Sequence, residues 1–493
     1  MKFIIAYIKY SLISIYNKIK YNYFSNTSCT LTLGDIAKIL NQEVPKRKNK
    51  NKKYFICYKN MMYMKNSVVF DEILSDNYSK KAVIKQHGII ISHKKEEYPC
   101  FVVENYKEAY QQLCNQCRRN DVTVVAVTGS TGKTTAKQFC NSVISQGKRV
   151  YCAKHNMNTY RFSGSLLQLL KNNTDCFIQE VDEGDPGVVG YASSYLKPNY
   201  AVVTNVGLSH SKNFGTQEDI RDNITEIEFG VLSSNGKIIY NYDDTLLRGY
   251  SWKANRISVS LENNNADCYC SNITFEPTGY ISFTFNYIDI HEKLYISVPG
   301  LHNVYNAAYA TLIGLEMGLT VKQIQKGLLK YKPSGVRQNL ITNRNTSLYV
   351  DCFNAAPDSM KAALNTLNTI NKGQAQAHRI AVLADMSEFG ALSQKAHQEV
   401  GKYINNMSQI DYVFCYGKES KSIANEITNP DIKVVHTDNK KEISNLLKNF
   451  KSDNSIILFK GSRCMHLESI IKDVFPKAYI KIFFSDVMLF HDI

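Results

Sequence analysis

The sequence has no hydrophobic run near its amino terminus that is long enough to span a bilayer. The apolar stretch at residues 3–8 is interrupted by Lys9 and is shorter than the ~20 residues that a spanning helix needs. No small-residue cleavage site follows it, so we expect no secretory signal, no stable membrane insertion and a cytoplasmic location. The 13 cysteines are odd in number and scattered over the chain, which argues against the disulfide framework of a secreted protein.

Acidic residues are scarce relative to basic ones. Asp and Glu number 44 against 59 Lys and Arg, so the formal net charge is +15. This balance favours anionic partners, but most of the lysines are scattered among Asn and Tyr, and we expect no nucleic-acid partner. The dense basic stretch at residues 45–53 is typical of a solvated loop, with a nuclear-localisation or RNA-binding patch as the alternative.

Apolar material is sufficient for ordinary packed cores. Hydrophobic residues make up 44% of the chain and charged residues 21%, which excludes a mainly disordered or collagen-like protein. A length of 493 residues suggests about three domains. We predict an N-terminal α/β domain at residues 1–120, a central α/β domain at 121–335 and a Rossmann-like C-terminal domain at 336–493.

Strand patterns alternate with helical patterns over the central and C-terminal parts of the chain, which predicts doubly wound parallel sheets. The first pattern, a run of β-branched residues, is typical of a buried parallel strand. The predicted central strands lie at residues 122–127, 176–181, 200–205 and 237–240, and the predicted C-terminal strands at 348–351, 380–383, 412–415 and 455–459.

A loop rich in glycine and threonine lies between the first of these strands and a helical pattern. Its glycines allow a tight turn whose N–H groups, with the helix amino terminus, face an anion. Lys133 supplies a cation for the β- and γ-phosphates of a nucleotide, and the Thr134 hydroxyl suits Mg²⁺. The spacing between the glycines is two residues shorter than in the usual phosphate loop. The predicted nucleotide-binding residues are Gly129, Ser130, Thr131, Gly132, Lys133, Thr134 and Thr135.

This shortened loop resembles that of the Mur ligase family, which runs Thr-Gly-Thr-Asn-Gly-Lys-Thr. Other family blocks follow in the same order, at residues 156–158, at Glu180, at 204–210 with 213–216, and at 300–308. Three C-terminal blocks are similar to the branch of the family that adds D-alanyl-D-alanine to UDP-MurNAc-tripeptide, at residues 351–360, 381–390 and 460–463. The resemblance implies a three-domain Mur architecture with an N-terminal substrate-binding domain, a central ATP-binding domain and a Rossmann-like third domain.

The resemblance also implies a reaction, which is ATP-dependent amide formation through an acyl phosphate. The expected cofactors are ATP and Mg²⁺, and the expected partners are a small or nucleotide-linked peptide carboxylate and an amino-acid or dipeptide amine. We expect a monomer. By the resemblance, the catalytic residues are Lys133, Glu180, His210, Arg337 and Asp351, the metal ligands are Thr134, Glu180 and His210, and the further nucleotide contacts are Asn303, Asn306 and Arg337.

Each of these roles has a structural alternative. Glu180 alone would be a solvated carboxylate at a strand end, and His210 alone a structural histidine. Asn303 and Asn306 would be helix-capping amides, and Arg337 a surface charge. The resemblance further implies that Arg337 and Asp351 reach the nucleotide only when the third domain closes.

Two departures from the family pattern leave other functions open. Ile224 stands where the family commonly carries a carbamylated lysine, which would leave the second metal site weaker, filled by Glu226 or Asp222, or lost. Residues 46–74 show none of the family's UDP-holding residues, and Ala356 replaces the second Asn of an Asn-Ala-Asn-Pro motif. The alternatives are a Mur-like ligase for capsule or secondary-metabolite assembly and a catalytically weakened ATP-binding regulator; a nucleic-acid-binding ATPase rests only on the basic charge.

Overall fold

The computed structural model describes most of the chain as three α/β units, each built on its own sheet. The described residues are 31–58, 66–74, 77–153, 158–208, 213–276, 280–333, 335–343, 345–370, 377–387, 389–451 and 454–488. The predictions for the apolar stretch 3–8, for residues 156 and 157 and for His210 lie outside these residues. Within them, no helix has the length and apolar character required to cross a membrane.

The N-terminal sheet has five strands in spatial order β1-β2-β3-β4-β5, parallel except for the β1–β2 pair. The strands are β1 Leu31–Thr32, β2 Lys53–Cys57, β3 Ser67–Phe70, β4 Ile89–Ser92 and β5 Cys100–Val102, and the helices are Leu33–Ile39, Asp71–Ile73 (3₁₀), Asn77–Lys85 and Tyr106–Cys117. The first helix begins with a capping box, in which the Thr32 hydroxyl accepts the Asp35 N–H and the Asp35 carboxylate accepts the Thr32 N–H.

The central sheet has nine strands in the order β14-β13-β12-β11-β10-β9-β6-β8-β7. The seven strands β6 to β12 are parallel to one another. From β12 the chain continues into an antiparallel meander with β13 and β14 that the sequence analysis did not predict. The strands are β6 Thr123–Thr128, β7 Val150–Cys152, β8 Cys176–Glu180, β9 Tyr200–Val203, β10 Lys237–Asn241, β11 Asn255–Ser260, β12 Cys268–Phe275, β13 Ile281–Tyr287 and β14 Ile290–Ile296. The helices are Lys133–Ile144, Tyr160–Leu167, Val188–Leu196, Gln217–Thr225, Glu228–Ser233, Thr245–Arg248, His302–Glu316 and Val321–Lys330.

The C-terminal sheet has six strands in the order β15-β16-β20-β17-β18-β19, all parallel except β15. The strands are β15 Asn339–Asn343, β16 Thr346–Asp351, β17 His378–Ala384, β18 Tyr412–Tyr416, β19 Lys433–Thr437 and β20 Ser455–Lys460. The helices are Pro357–Thr369, Gly390–Leu392 (3₁₀), Ser393–Ile404, Lys421–Glu426, Lys440–Lys448, Arg463–Met465 (3₁₀), Glu468–Val474 and Pro476–Met488. The predicted α/β class is confirmed.

Two features of this architecture position the site. In the central sheet, β6 lies between β8 and β9, so the chain order reverses beside it; ligands of open α/β sheets bind at such a switch point, outside the carboxyl ends of the strands. The N-terminal and central domains share one apolar core, in which Phe70 and Tyr110 of the first domain pack with Tyr195 of the second. The C-terminal domain has cores of its own, and a polar cleft separates its sheet from the switch point.

Candidate active site

The loop after β6 turns tightly because its two glycines adopt left-handed backbone conformations. Gly129 has φ 126° and Gly132 has φ 81°, values that residues with a side chain rarely adopt. A Cβ at position 129 would lie 2.2 Å from Thr204 Oγ1, so close approach also requires glycine there. The loop then enters the helix Lys133–Ile144, whose amino terminus faces the cleft.

The block at residues 204–208 braces this loop. Thr204 Oγ1 donates to the Thr131 carbonyl at 2.6 Å, and Asn205 Oδ1 accepts the Thr131 N–H at 2.9 Å. The Gly207 N–H donates to Ser130 Oγ at 2.8 Å. These bonds fix the first half of the loop from behind, whereas the first N–H groups of the helix Lys133–Ile144 have no partner within the helix and face the cleft.

Lys133 points into the loop and lies 2.7 Å from a carboxylate oxygen of Glu183, which is fully buried. Its ammonium also donates to the carbonyl of Gly129 at 2.6 Å and to that of Ser130 at 3.3 Å. Burial acts to lower the pKa of Lys133, but the carboxylates of Glu183, Glu180 and Asp182 outweigh it and raise the pKa above its usual value. Lys133 is therefore held as a cation within this loop.

Thr134 and Glu180 meet beside Lys133. Thr134 Oγ1 donates to Glu180 Oε2 at 2.8 Å, and Asn158 Nδ2 donates to Glu180 Oε1 at 3.1 Å. The buried Lys137 lies 3.9 Å from the same carboxylate. A hydroxyl and a carboxylate are the hard oxygen donors that Mg²⁺ prefers, so Thr134 and Glu180 fit a magnesium ion.

Ile224, which stands where the family commonly carries a carbamylated lysine, does not line the cleft. Ile224 is fully buried in the apolar core, as an isoleucine on an amphipathic helix should be. Glu226 Oε2 accepts the Gly190 N–H at 3.1 Å, and burial raises the pKa of Glu226. Asp222 pairs with Arg221 at 2.7 Å. Neither carboxylate lines the cleft.

The opposite wall of the cleft comes from the C-terminal domain. The Arg337 guanidinium carbon lies 3.4 Å from the centre of the Phe353 ring. This cation–π contact fixes the orientation of the planar guanidinium group and of its N–H donors. Lys460 forms an ion pair with Asp351 at 2.9 Å and donates to the Asn354 carbonyl at 2.6 Å. The two walls enclose a cavity of about 510 Å³.

A side pocket of about 160 Å³ opens from this cavity beside the helix His302–Glu316. Asn306 lines it, whereas Asn303 lies behind and donates to the Pro299 carbonyl at 2.7 Å and to Gln338 Oε1 at 3.1 Å. His302 Nε2 and the Tyr309 hydroxyl line the pocket region as buried polar atoms with no hydrogen-bond partner among the described residues. Such unpaired polar atoms fit a ligand with hydrogen-bonding edges, such as a nucleobase.

The structure thus brings together nearly all of the predicted site residues that it describes. The loop residues 130–135, Glu180, Arg337 and Asp351 line the main cavity, and Asn306 lines the side pocket, whereas Gly129 shapes the turn and lines neither. The sequence analysis missed Asp182 and Glu183. It also did not assign a role to Lys460. A signal was present in both cases, because these charged residues lie at or just after the carboxyl end of a strand.

Comparison with known proteins agrees with this arrangement. The Mur ligase middle domain matches residues 127–314, and the Mur ligase glutamate ligase domain matches residues 336–463. The UDP-N-acetylmuramoyl-tripeptide–D-alanyl-D-alanine ligase of Bacillus subtilis is 32% identical over 389 residues, 78% of this chain and 83% of that protein. The ligase of the same name from Escherichia coli is 28% identical over 386 residues, 76% of this chain and 82% of that protein.

Solved structures show the same architecture. MurF from Acinetobacter baumannii has a TM-score of 0.77 at 22% identity and covers 91% of this chain and 99% of its own. MurF from Thermotoga maritima in complex with ADP has a TM-score of 0.71 at 23% identity, covering 84% and 95%. Fold and cleft define a three-domain α/β protein with a phosphate loop at the domain boundary. The chain belongs to the Mur ligase family, and the predicted Mur architecture and ligase class are confirmed.

Proposed function

We propose that this protein is an ATP-dependent ligase that joins D-alanyl-D-alanine, through its amino group, to the terminal carboxylate of a UDP-MurNAc-tripeptide. The observation that carries the proposal is the cleft itself, in which Lys133 and the Thr134–Glu180 pair face Arg337 and Lys460 of the C-terminal domain. Relatives of that name from B. subtilis and E. coli support the choice of substrates.

The reaction consists of two displacements. A carboxylate oxygen of the tripeptide attacks the γ-phosphorus of ATP, the bond to the β-phosphate oxygen breaks, and ADP leaves. The amine then attacks the carbonyl carbon of the acyl phosphate, loses a proton, and phosphate departs as the amide forms. Protein groups have little covalent work in phosphoryl transfer, so catalysis depends on positioning and on neutralising charge.

The charged and polar residues described above have distinct roles in this scheme. Lys133 and the loop N–H groups bind the β- and γ-phosphates, and Arg337 approaches them from the opposite wall. Thr134 and Glu180 hold Mg²⁺, which neutralises phosphate charge when bound. His302, Asn306 and Tyr309 receive the adenine. Asp351 orients Lys460 across the cleft from the loop.

The proposal extends to cellular context. We place the enzyme in the cytoplasm, acting as a monomer on small-molecule substrates and not on nucleic acid. It retains the charged groups that turnover needs, Lys133, Glu180, Arg337 and Asp351, which favours an active enzyme over a binding protein that has lost activity.

The test is ADP release measured with UDP-MurNAc-tripeptide and D-alanyl-D-alanine, with the product identified by mass spectrometry. We expect ADP only when both substrates are present and a product heavier than the tripeptide by the mass of D-alanyl-D-alanine less one water. Lys133→Ala should abolish both signals. Absence of substrate-dependent ADP with the wild-type protein would reject the proposal.

A further inference from the structure

The central-domain wall of the cleft carries more negative than positive charge. Three carboxylates, those of Glu180, Asp182 and Glu183, surround two ammonium groups, those of Lys133 and Lys137. The opposite wall carries three cations, those of Arg337, Lys460 and Arg463, and the carboxylate of Asp351. The formal charge of these five groups on the central-domain wall is therefore −1. A nucleotide that binds in the loop places its phosphates against this negative charge.

Glu183 is the carboxylate closest to the loop lysine and the most deeply buried of the three. Its side chain is 0% exposed, and that of Lys133 is 11% exposed. Lys133 uses its three N–H donors on the carbonyls of Gly129 and Ser130 and on Glu183. An ammonium group has no fourth donor, so a phosphate oxygen must displace one of these contacts.

The backbone that carries Glu183 is clamped in place. Asn223 Nδ2 donates to the Glu183 carbonyl at 3.0 Å, and Asn223 Oδ1 accepts the Gly187 N–H at 2.9 Å. Asn223 is itself buried on the helix Gln217–Thr225. The backbone of Glu183 is thus fixed and its side chain is 0% exposed, so its charge lies beside the phosphate site.

A buried carboxylate that loses its partner is costly, because no water solvates the remaining charge. This cost is avoided if the Lys133 ammonium keeps its contact with Glu183 and exchanges its hydrogen bonds to the two loop carbonyls for bonds to phosphate oxygens. Glu183 then lies one side chain away from the phosphates and repels them. A divalent cation that accompanies the nucleotide offsets this repulsion, since charges are weakly screened inside the cleft.

We propose that Glu183 is a positioning residue that holds Lys133 in the phosphate loop and makes nucleotide binding conditional on a divalent cation. The inference rests on ATP being the nucleotide of the cleft, as proposed above. By this inference, Glu183 makes the site prefer the metal complex of ATP to free ATP. The loop sequence alone does not supply this specificity.

The test is isothermal titration calorimetry of ATP with and without Mg²⁺, the latter in EDTA, with no other substrate. For the wild-type protein we expect the Kd to be at least about tenfold weaker in EDTA. Glu183→Gln keeps the shape of the side chain and removes its charge, so the Kd in EDTA should tighten and the ratio of the two Kd values should fall by about tenfold. Glu183→Asp keeps the charge and should retain the wild-type ratio.

The matched control is Glu316→Gln, which removes the carboxylate of a lysine ion pair of the same length, 2.7 Å to Lys237, outside the cleft. Its ratio should equal that of the wild type. If Glu183→Gln does not fold, the double variant Lys133→Met with Glu183→Gln removes both charges of the pair, and its ratio of the two Kd values should be about tenfold smaller than that of the wild type.

An unchanged ratio in Glu183→Gln, or equal weakening in both buffers, would overturn the inference, as would the wild-type ratio in the double variant. Failure of the proposed function gives a different result. If wild-type protein binds ATP with the expected dependence on Mg²⁺ but forms no amide, the substrates are wrong and Glu183 keeps its role. If it binds no ATP in either buffer, both proposals fail.

Discussion

Asp351 and Lys460 stand opposite each other at the ends of two parallel strands, and their side chains form an ion pair of 2.9 Å within the cleft. Both are mostly shielded from water, with 13% and 3% of their side chains exposed. The pair places a cation on the C-terminal wall at a point set by strand register and not by a flexible loop. The contact therefore links the stability of that domain to the chemistry of the cleft.

Breaking this pair from one side should destabilise the protein. Lys460→Met leaves the Asp351 carboxylate without its cation, at a cost of about 3–5 kcal/mol for a buried pair. We expect the melting temperature to fall by at least about 6 °C and the double variant with Asp351→Asn to recover much of the loss. Lys237→Met removes an ion-paired lysine that is 38% exposed and should change stability by no more than about 1 kcal/mol. Equal losses in both single variants would contradict the argument.

The turn at Gly129 should not tolerate a side chain. In Gly129→Ala the added Cβ meets Thr204 Oγ1 at 2.2 Å while φ is 126°, and strain of about 1–3 kcal/mol is expected at such a position. ATP affinity should fall at least about tenfold in calorimetry, with the circular dichroism spectrum retained. Gly249→Ala is the control, because the φ of Gly249 is −77° and the added Cβ would lie 3.3 Å from the Thr245 carbonyl oxygen. Unaltered affinity in Gly129→Ala would show that the loop relaxes without cost.

The hydroxyl of Thr134 should be needed for metal use. Thr134→Val keeps the branched shape but removes the oxygen that donates to Glu180 Oε2. We expect the Mg²⁺ concentration that gives half-maximal ADP release to rise by about 10–100-fold, the range typical of weakened metal sites. Thr134→Ser retains the hydroxyl and should stay within about threefold of the wild type. A normal Mg²⁺ requirement in the valine variant would remove Thr134 from the metal site.

His302 should make stability fall in mild acid. Burial lowers its pKa below the ordinary value of 6.5, against smaller opposing effects of Gln338 and Asp351. The neutral ring therefore stabilises the fold fully above pH 6.5, and this contribution is lost as the pH falls from 6.5 through the lower folded-state pKa. Melting temperatures from pH 7.5 to 5 should decline less steeply in His302→Gln than in the wild type. His291→Gln, at an exposed strand position, should follow the wild-type profile, and the same decline in all three proteins would contradict the assignment.

Much of the site could be predicted because its residues are local in sequence. The phosphate loop is a contiguous segment, and its position after a buried β-branched strand is set by chain order alone. Glu180 was predicted because it lies near the end of the next central strand pattern, at a position that resembles the metal-binding glutamate of the Mur ligase family. The antiparallel meander β12–β14 was missed, because its strands mix apolar residues with exposed polar ones and show no continuous apolar run.

The amino-acid sequence by itself determined the α/β class, the phosphate loop and the family, since these depend on periodicity and on short runs of neighbouring residues. Only the tertiary structure decided that Glu183 pairs with Lys133, that Asn303 supports Gln338 behind the side pocket, and that Asp351 meets Lys460. The physical reason is that such contacts depend on strand order, register and side-chain packing. Lys460 follows Asp351 by 109 positions in the chain, and the hydrogen bonds between β16 and β20 place them side by side.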